Sequence, residues 1–452
     1  MSLLRLIAVF LLLAALPAMA QDAPLDQQLP PRAAPTHHVE VGQLASMDTT
    51  PAFDPASATA RYLARVSGAA RARSDAYFEG GYWLVLWGAL VGIAAYWIML
   101  RTGLAARYGG WAERVTKRWA APGLFAVPFT ITVALIMLPW TIYSGFVREG
   151  QYGLMNQSFA GWLGDQGIAL GIEVLVNAIL FFLLFAVIRR FRRTWWVWGA
   201  GVMTMLVAVG ALLFPLFVAP LFNHYTELPA GPLRDRIVAV AKANNIPAEH
   251  IWVADESKQS KRISANVAGL GPTARISLND NLLNRTGPDE TVAVLGHEMG
   301  HYVLGHVSRM IAMMALVFVV MFGAIYWAAP RLIARHPAWR VRDVADPGAA
   351  AVLLLLFTVA QLVLTPVQNT IIRTQESEAD AWGVNATHQP DAFARVAIRL
   401  SEYRKLQPGR VEEFLFFDHP SGENRVRMMM QWKKDNVPNA QIVATPSLAP
   451  GQ

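Results

Sequence analysis

The side chains best placed to do chemistry lie between Thr291 and His306, in TVAVLGHEMGHYVLGH, which sets His297, Glu298 and His301 in an H-E-x-x-H pattern. On a helix of 3.6 residues per turn, His297 and His301 stand one above the other, with Glu298 beside them. Two imidazoles at that spacing can ligate one metal ion while the adjacent carboxylate takes a proton from the attacking water, the arrangement of a zinc hydrolase. The competing reading is a helix that merely carries two histidines at i, i+4. The chain has only 10 histidines, which makes that coincidence uncommon. Thr286, followed by Pro288 and Asp289, reads as the cap that starts this helix.

A hydrolytic zinc site needs three protein ligands and an open position, so one more ligand must come from elsewhere. A third histidine placed as in metzincins would fall at position 307, which is Val307, and His306 is off the face shared by His297 and His301. Glu376 is the better candidate. It opens the run Glu376-Ser-Glu-Ala-Asp380, where Glu376 and Asp380 share a helix face, so that Asp380 can orient a ligating histidine. Glu378 points elsewhere on that helix.

The elements that must position these residues belong to a membrane protein. Of the residues, 54% are hydrophobic and 16% charged, with no cysteine, which excludes a thiol nucleophile and a thiolate metal site. The net charge of +7 sits in short Arg/Lys clusters between apolar runs. That pattern reports membrane topology and gives no nucleic-acid face. Residues 1–20 read as a signal peptide or signal anchor, and 21–80 as an extracytoplasmic N-terminal segment. Six apolar runs, near 82–100, 123–144, 168–188, 195–221, 309–329 and 349–371, are long enough to span a bilayer. Pro128, Pro139, Pro215, Pro220 and Pro366 should kink three of them. Glu173 and Asn177, one turn apart in the third, should face a bundle interior or a wet cavity.

The expected domains are an N-terminal membrane domain of four helices over 81–222, a zinc metalloprotease domain of α+β pattern from 223–306 and 372–435, a membrane hairpin over 307–371, and a disordered tail over 436–452. The hairpin returns the chain to the side it left, so both sets of ligands emerge on one face of the bilayer.

These residues resemble the type I CAAX prenyl proteases and their membrane-embedded relatives of the HtpX kind, over about residues 80–430. His297, Glu298 and His301 match the family's H-E-x-x-H, and Arg373-x-x-Glu376-x-x-Ala-Asp380 matches the segment that gives its third zinc ligand and a supporting aspartate. Ser264-Ala-Asn266 looks like the start of the edge strand against which the family lays substrate backbone, although Val267 and Ala268 stand where its usual pattern is Asn-Ala-aromatic. His419-Pro-x-x-x-x-Arg425 is similar to the late motif whose His and Arg face the substrate and the developing oxyanion. Each has a physical use: a free strand edge pairs with an extended peptide, and a cation near the metal stabilises a tetrahedral intermediate. An ordinary turn residue at Asn266 and a surface charge at Arg425 are the bland alternatives.

The sequence therefore implies a multi-pass α-helical membrane protein with an inserted α+β gluzincin-like zinc metalloprotease domain. It would bind one Zn2+ per chain through His297, His301 and Glu376, with Asp380 behind them, Glu298 as base, His419 and Arg425 at the oxyanion, and Asn266 at the substrate. Its partners would be a peptide or protein substrate and the lipid bilayer. Alternatives are a CAAX-type processing protease facing the cytosol, a proteolytically silent chaperone and a metal-gated transporter. An intact Glu298 argues against the silent chaperone, and the soluble insertion against the transporter.

Overall fold

The computed structural model describes residues 53–247, 250–268 and 275–441. The signal-like segment 1–20, residues 21–52 and the tail beyond 441 lie outside the described residues. The short helix α1 (Pro55–Leu63) begins at Asp54, whose carboxylate accepts the N–H groups of Ala56 and Ser57 at 3.2 and 2.9 Å. Then come α2 (Gly68–Arg101), the amphipathic α3 (Leu104–Val115), α4 (Ala121–Ile142), α5 (Phe159–Arg190) and α6 (Trp195–Leu213).

The soluble insertion follows with β1 (Tyr225–Glu227), α7 (Pro232–Ala243), β2 (Ile251–Ala254), β3 (Ala265–Ala268), β4 (Arg275–Asn279) and α8 (Pro288–Val303). The chain returns to the bilayer through α9 (His306–Arg335) and α10 (Ala350–Thr387), and ends with α11 (Pro390–Arg399), α12 (Arg410–Phe416) and α13 (Gly422–Asn436).

Among the described residues, six helical runs are long and apolar enough to cross a membrane, and each contains one of the expected spans. The first starts at Gly68, well before the expected 82, because its lower end packs on the soluble lobe. There the Ser74 hydroxyl donates to the Arg404 carbonyl, and the Tyr82 hydroxyl to Glu412 at 2.7 Å. Past Pro139, α4 runs into a π-helical turn at Tyr143–Val147, and α6 runs into another at Phe214–Val218 that contains Pro215, whereas Pro128 and Pro366 lie within uninterrupted helix. Asn177 on α5 donates to Thr130 on α4 at 3.2 Å, a helix-to-helix contact within the bundle.

The sheet has the order β1-β2-β4-β3. β2 and β4 pair in parallel, β1 and β3 antiparallel at either side, so β3 has one free edge. The helix that carries H-E-x-x-H is α8, and its start lies one residue beyond the expected cap. Gly287 is the N-cap with Pro288 behind it, and the Glu290 carboxylate accepts the Gly287 N–H at 3.1 Å. Glutamate has the reach for this position, whereas Asp289 is drawn outward to Arg236 at 2.8 Å. Arg395 and Arg399 of α11 also grip Glu290, each at 2.9 Å, fixing α8 against the C-terminal helices.

Against α8 lies α10, and small residues let the two backbones come close. A β-carbon at Gly300 would stand 3.0 Å from the Ala379 carbonyl oxygen. One at Gly383 would stand 2.8 Å from the His297 nitrogen and 2.9 Å from Phe393. Gly296 and Gly300 on one helix, Ala379 and Gly383 on the other, are spaced four apart, the small-xxx-small pattern of close helix crossings. Gly383→Ala should thus destabilise the soluble lobe by about 1–3 kcal/mol through overpacking. Gly110→Ala on α3, where an added methyl meets nothing within 4 Å, should not. Thermal unfolding of the two variants checks this, and equal midpoints would refute the crossing.

Candidate metal centre and active site

The crossing of α8 and α10 brings His297 and His301 to Glu376. The His297 Nε2 lies 3.1 Å from the His301 Nε2 and 3.2 Å from the Glu376 Oε2, and the His301 Nε2 lies 3.3 Å from the Glu376 Oε1. In a tetrahedral site with bonds of about 2.0–2.1 Å, neighbouring donor atoms stand about 3.3 Å apart, so the three fit one small divalent ion. The charges fit as well. Glu298, Glu376 and Asp380 gather three carboxylates beside Arg425, and a divalent cation would offset part of their charge.

Asp380 takes the place expected of it behind His297, its Oδ1 accepting from the His297 Nδ1 at 2.8 Å. This fixes a proton on the His297 Nδ1 and turns Nε2 to the centre. Asp380 Oδ2 is paired in turn with the Arg425 Nε at 2.8 Å. Burial opposes a charge on His297, but Asp380 and Glu376 outweigh it and push its pKa up to about 10. A metal entering the cluster at neutral pH therefore displaces a proton.

Glu298 faces a cleft of about 250 Å3 bounded by Ile263, Ser264 and Ala265 on one side and by Arg404, His419 and Arg425 on the other. Among the described residues its carboxylate has no ion-pair partner, and burial pushes its pKa above the usual carboxylate range, against the pull of His297, His301 and Arg425. His419 stands with Nε2 3.3 Å from the Glu376 Oε2 and Nδ1 2.8 Å from the Asp418 Oδ1. Burial and the nearby Arg404 hold its imidazole below its ordinary value. The loop carrying it is pinned by Arg373, buried on α10, which donates to the carbonyls of Glu413 and Phe417.

Seven of the eight predicted residues thus meet in one place. Asn266 does not join them: it is exposed on β3, paired with Ser277, and it is Ala265 beside it that lines the cleft. A period-2 strand turns successive side chains to opposite faces, which separates the two.

Two residues set aside by the sequence reading enter the site. His306 is 2.8 Å from His301, Nδ1 to Nδ1, and its Nε2 is 3.0 Å from the Glu378 Oε2. The signal that could have revealed it is Gly305, which takes φ 64 and ends α8, so that the face of one continuous helix no longer applies to His306. Arg404, which reaches the cleft wall from the loop after α11, had no motif to mark it.

A family model described as Peptidase family M48 matches residues 227–433, and one described as CAAX prenyl protease N-terminal, five membrane helices, matches residues 59–224. CAAX prenyl protease 1 of Saccharomyces cerevisiae is 32% identical over 310 residues, covering 65% of this chain and 68% of the relative. The chain belongs to peptidase family M48. The Bacillus subtilis metalloprotease YhfN is 28% identical over 355 residues, 76% of this chain and 82% of that one. Crystallised Ste24p of S. mikatae shares the fold with a TM-score of 0.66 at 20% identity, over 83% of this chain and 95% of its own.

This M48 protein is accordingly a multi-pass membrane metalloprotease, with a small mixed sheet and a metal-competent His-His-Glu group. Where the family description gives five membrane helices, the described part of 59–224 has four.

Removing a ligand should have a different effect from removing a neighbour on the same helix. Glu376→Ala is expected to lose most of its bound metal, while Glu378→Ala should keep about one equivalent per chain at saturating metal. Elemental analysis of the purified variants checks this, and equal contents would refute Glu376 as the ligand.

Proposed function

We propose that this protein is a zinc endopeptidase that cleaves membrane or membrane-proximal proteins on the extracytoplasmic face of a bacterial inner membrane. The observation that carries the reading is the group of three donors at tetrahedral spacing, with the free Glu298 carboxylate beside it on an open cleft. His297, His301 and Glu376 would hold one Zn2+, which when bound polarises the scissile carbonyl and acidifies the attacking water.

Glu298 takes the proton of that water and delivers it to the leaving amine. Arg425 keeps its charge at any working pH and donates to the carbonyl oxygen as its charge grows. His419, bonded through Nδ1 to Asp418, stands beside Arg425 as a polar wall of the cleft. The free edge of β3 offers backbone groups for an extended substrate, with Asn266 at its outer side.

Support for the orientation comes from where the basic loops gather. Arg189 reaches the carbonyls of Arg118 and Ala345, and Arg342 pairs with Glu113 at 2.7 Å, which joins loops 101–120, 189–194 and 330–348 at one end of the bundle. Those loops hold 13 Arg and Lys residues: Arg101, Arg107, Arg114, Lys117, Arg118, Arg189, Arg190, Arg192, Arg193, Arg331, Arg335, Arg340 and Arg342. The soluble lobe binds the opposite end, where Tyr77 of α2 meets Glu149, and Glu149 meets Arg262 at 2.9 Å. Short basic loops remain in the cytoplasm, which supports a cleft outside it. Envelope proteins that are membrane-proximal or misfolded are then the substrates of choice. A cytosol-facing protease for prenylated proteins is the second reading, favoured by the names of the eukaryotic relatives.

Two outcomes follow. Glu298→Gln should bind zinc normally and cleave peptides at least about a hundredfold more slowly, as for loss of a general base. Near-native cleavage by the variant would remove Glu298 from this role. Orientation is read from alkaline phosphatase and a cytoplasm-only fluorescent reporter fused after Asp255 and after Gln431. Phosphatase activity at both sites is expected, and fluorescence without it would restore the cytosolic reading.

A further inference from the structure

The two histidines of the metal centre are backed in different ways. His297 donates directly to Asp380, which Arg425 holds from behind. His301 faces no carboxylate through its Nδ1. Its contact there is a second imidazole, the His306 Nδ1 at 2.8 Å. His306 is 2% exposed, and its other nitrogen meets the Glu378 Oε2 at 3.0 Å. Glu378 is gripped in turn by Arg309, whose two terminal nitrogens stand 2.5 and 3.3 Å from its two carboxylate oxygens.

With both imidazoles neutral, the protons of this chain can be assigned by elimination. An ionised carboxylate only accepts, so the His306 Nε2 carries a hydrogen and donates it to Glu378. A neutral imidazole with its hydrogen on Nε2 has a lone pair on Nδ1, so His306 accepts there from His301. His301 must then bear its own hydrogen on Nδ1, which leaves its Nε2 lone pair directed at His297 and Glu376. With the opposite tautomer of His306, the His301 hydrogen would sit on Nε2, within the donor triangle, and no lone pair would face a metal. The choice made at Glu378 therefore decides whether His301 can ligate.

Geometry explains why an imidazole is needed. Glu378 and Asp380 lie two residues apart on α10, so they leave it in nearly opposite directions, about 200° around the helix axis. Asp380 can touch a histidine of α8 directly, whereas Glu378 points to the junction of α8 and α9. Gly305, at φ 64, turns the chain there and inserts His306 into the gap.

We propose that His306 and Glu378, anchored by Arg309, are positioning residues that set the tautomer and ring orientation of His301 in the metal centre. The proposal rests on the reading of His301 as a ligand. Neither side chain touches substrate or metal, so the effect should lie in metal affinity and ligand geometry.

The test uses the full-length purified protein, with zinc affinity from chelator competition and the ligand-field spectrum of the cobalt-substituted form as readouts. His301→Ala should lose the metal. His306→Leu and Glu378→Leu should fold, as judged by thermal unfolding, take up metal at saturation, bind it about 10- to 100-fold more weakly and shift the cobalt bands. His306→Gln offers an amide oxygen to His301 and an amide N–H to Glu378, so it should bind within about threefold of the native protein. Because Glu378 is partly exposed, its variant carries the test if leucine at the buried 306 position prevents folding. Metal retained by His301→Ala overturns the ligand assignment and the relay with it. Metal lost by His301→Ala, with native affinity and spectrum in Glu378→Leu, overturns the relay alone.

Discussion

The close approach of α8 and α10 is the constraint on which the rest depends. Metal ligands at about 2 Å tolerate little slack, and two helices meeting through ordinary side chains lie 8–10 Å apart. Glycines at 296, 300 and 383 remove the side chains that would hold the backbones apart, so that the His297 nitrogen lies within van der Waals reach of Gly383. Carboxylates on α10 then reach imidazoles on α8 with their short side chains in ordinary lengths of hydrogen bond. The grip of Arg395 and Arg399 on Glu290, and of Arg373 on the carbonyls ahead of His419, extends that fixed geometry to the cleft walls.

Charge is arranged to the same end. Burying carboxylates beside imidazoles is unfavourable unless each has a partner, and among the described residues three of those here have one. Asp380 has Arg425, Glu378 has Arg309, and Glu376 shares the two histidines and Arg425. Glu298 is the exception in the cluster, and an unpartnered carboxylate is what proton transfer requires.

Much of this could be read from the chain because it rests on helical periodicity. The spacing of His297 and His301, and of Glu376 and Asp380, states which side chains share a face, and hydropathy states where the chain crosses lipid. What periodicity cannot register is where a helix stops. His306 is excluded by a helical face that ends at Leu304, and Glu378 because it points away from the face of Glu376 and Asp380; one residue in a left-handed turn carries His306 to both His301 and Glu378. The strand gave a similar lesson in reverse. Asn266 stood out by type, yet the pleat turns the neighbouring Ala265 to the cleft. Arg404 belongs to a connection without a repeating pattern, where residue spacing carries no direction.

The ligand set is divided by two passages through lipid, since the chain leaves His301, crosses by α9, and comes back by α10 before it reaches Glu376. A nascent chain thus holds only two of the three ligands until that pair of helices has been inserted and has folded back. On the ligand set proposed above, ion capture waits for the completion of membrane integration, because a copy stalled before its last crossing lacks Glu376 at the centre.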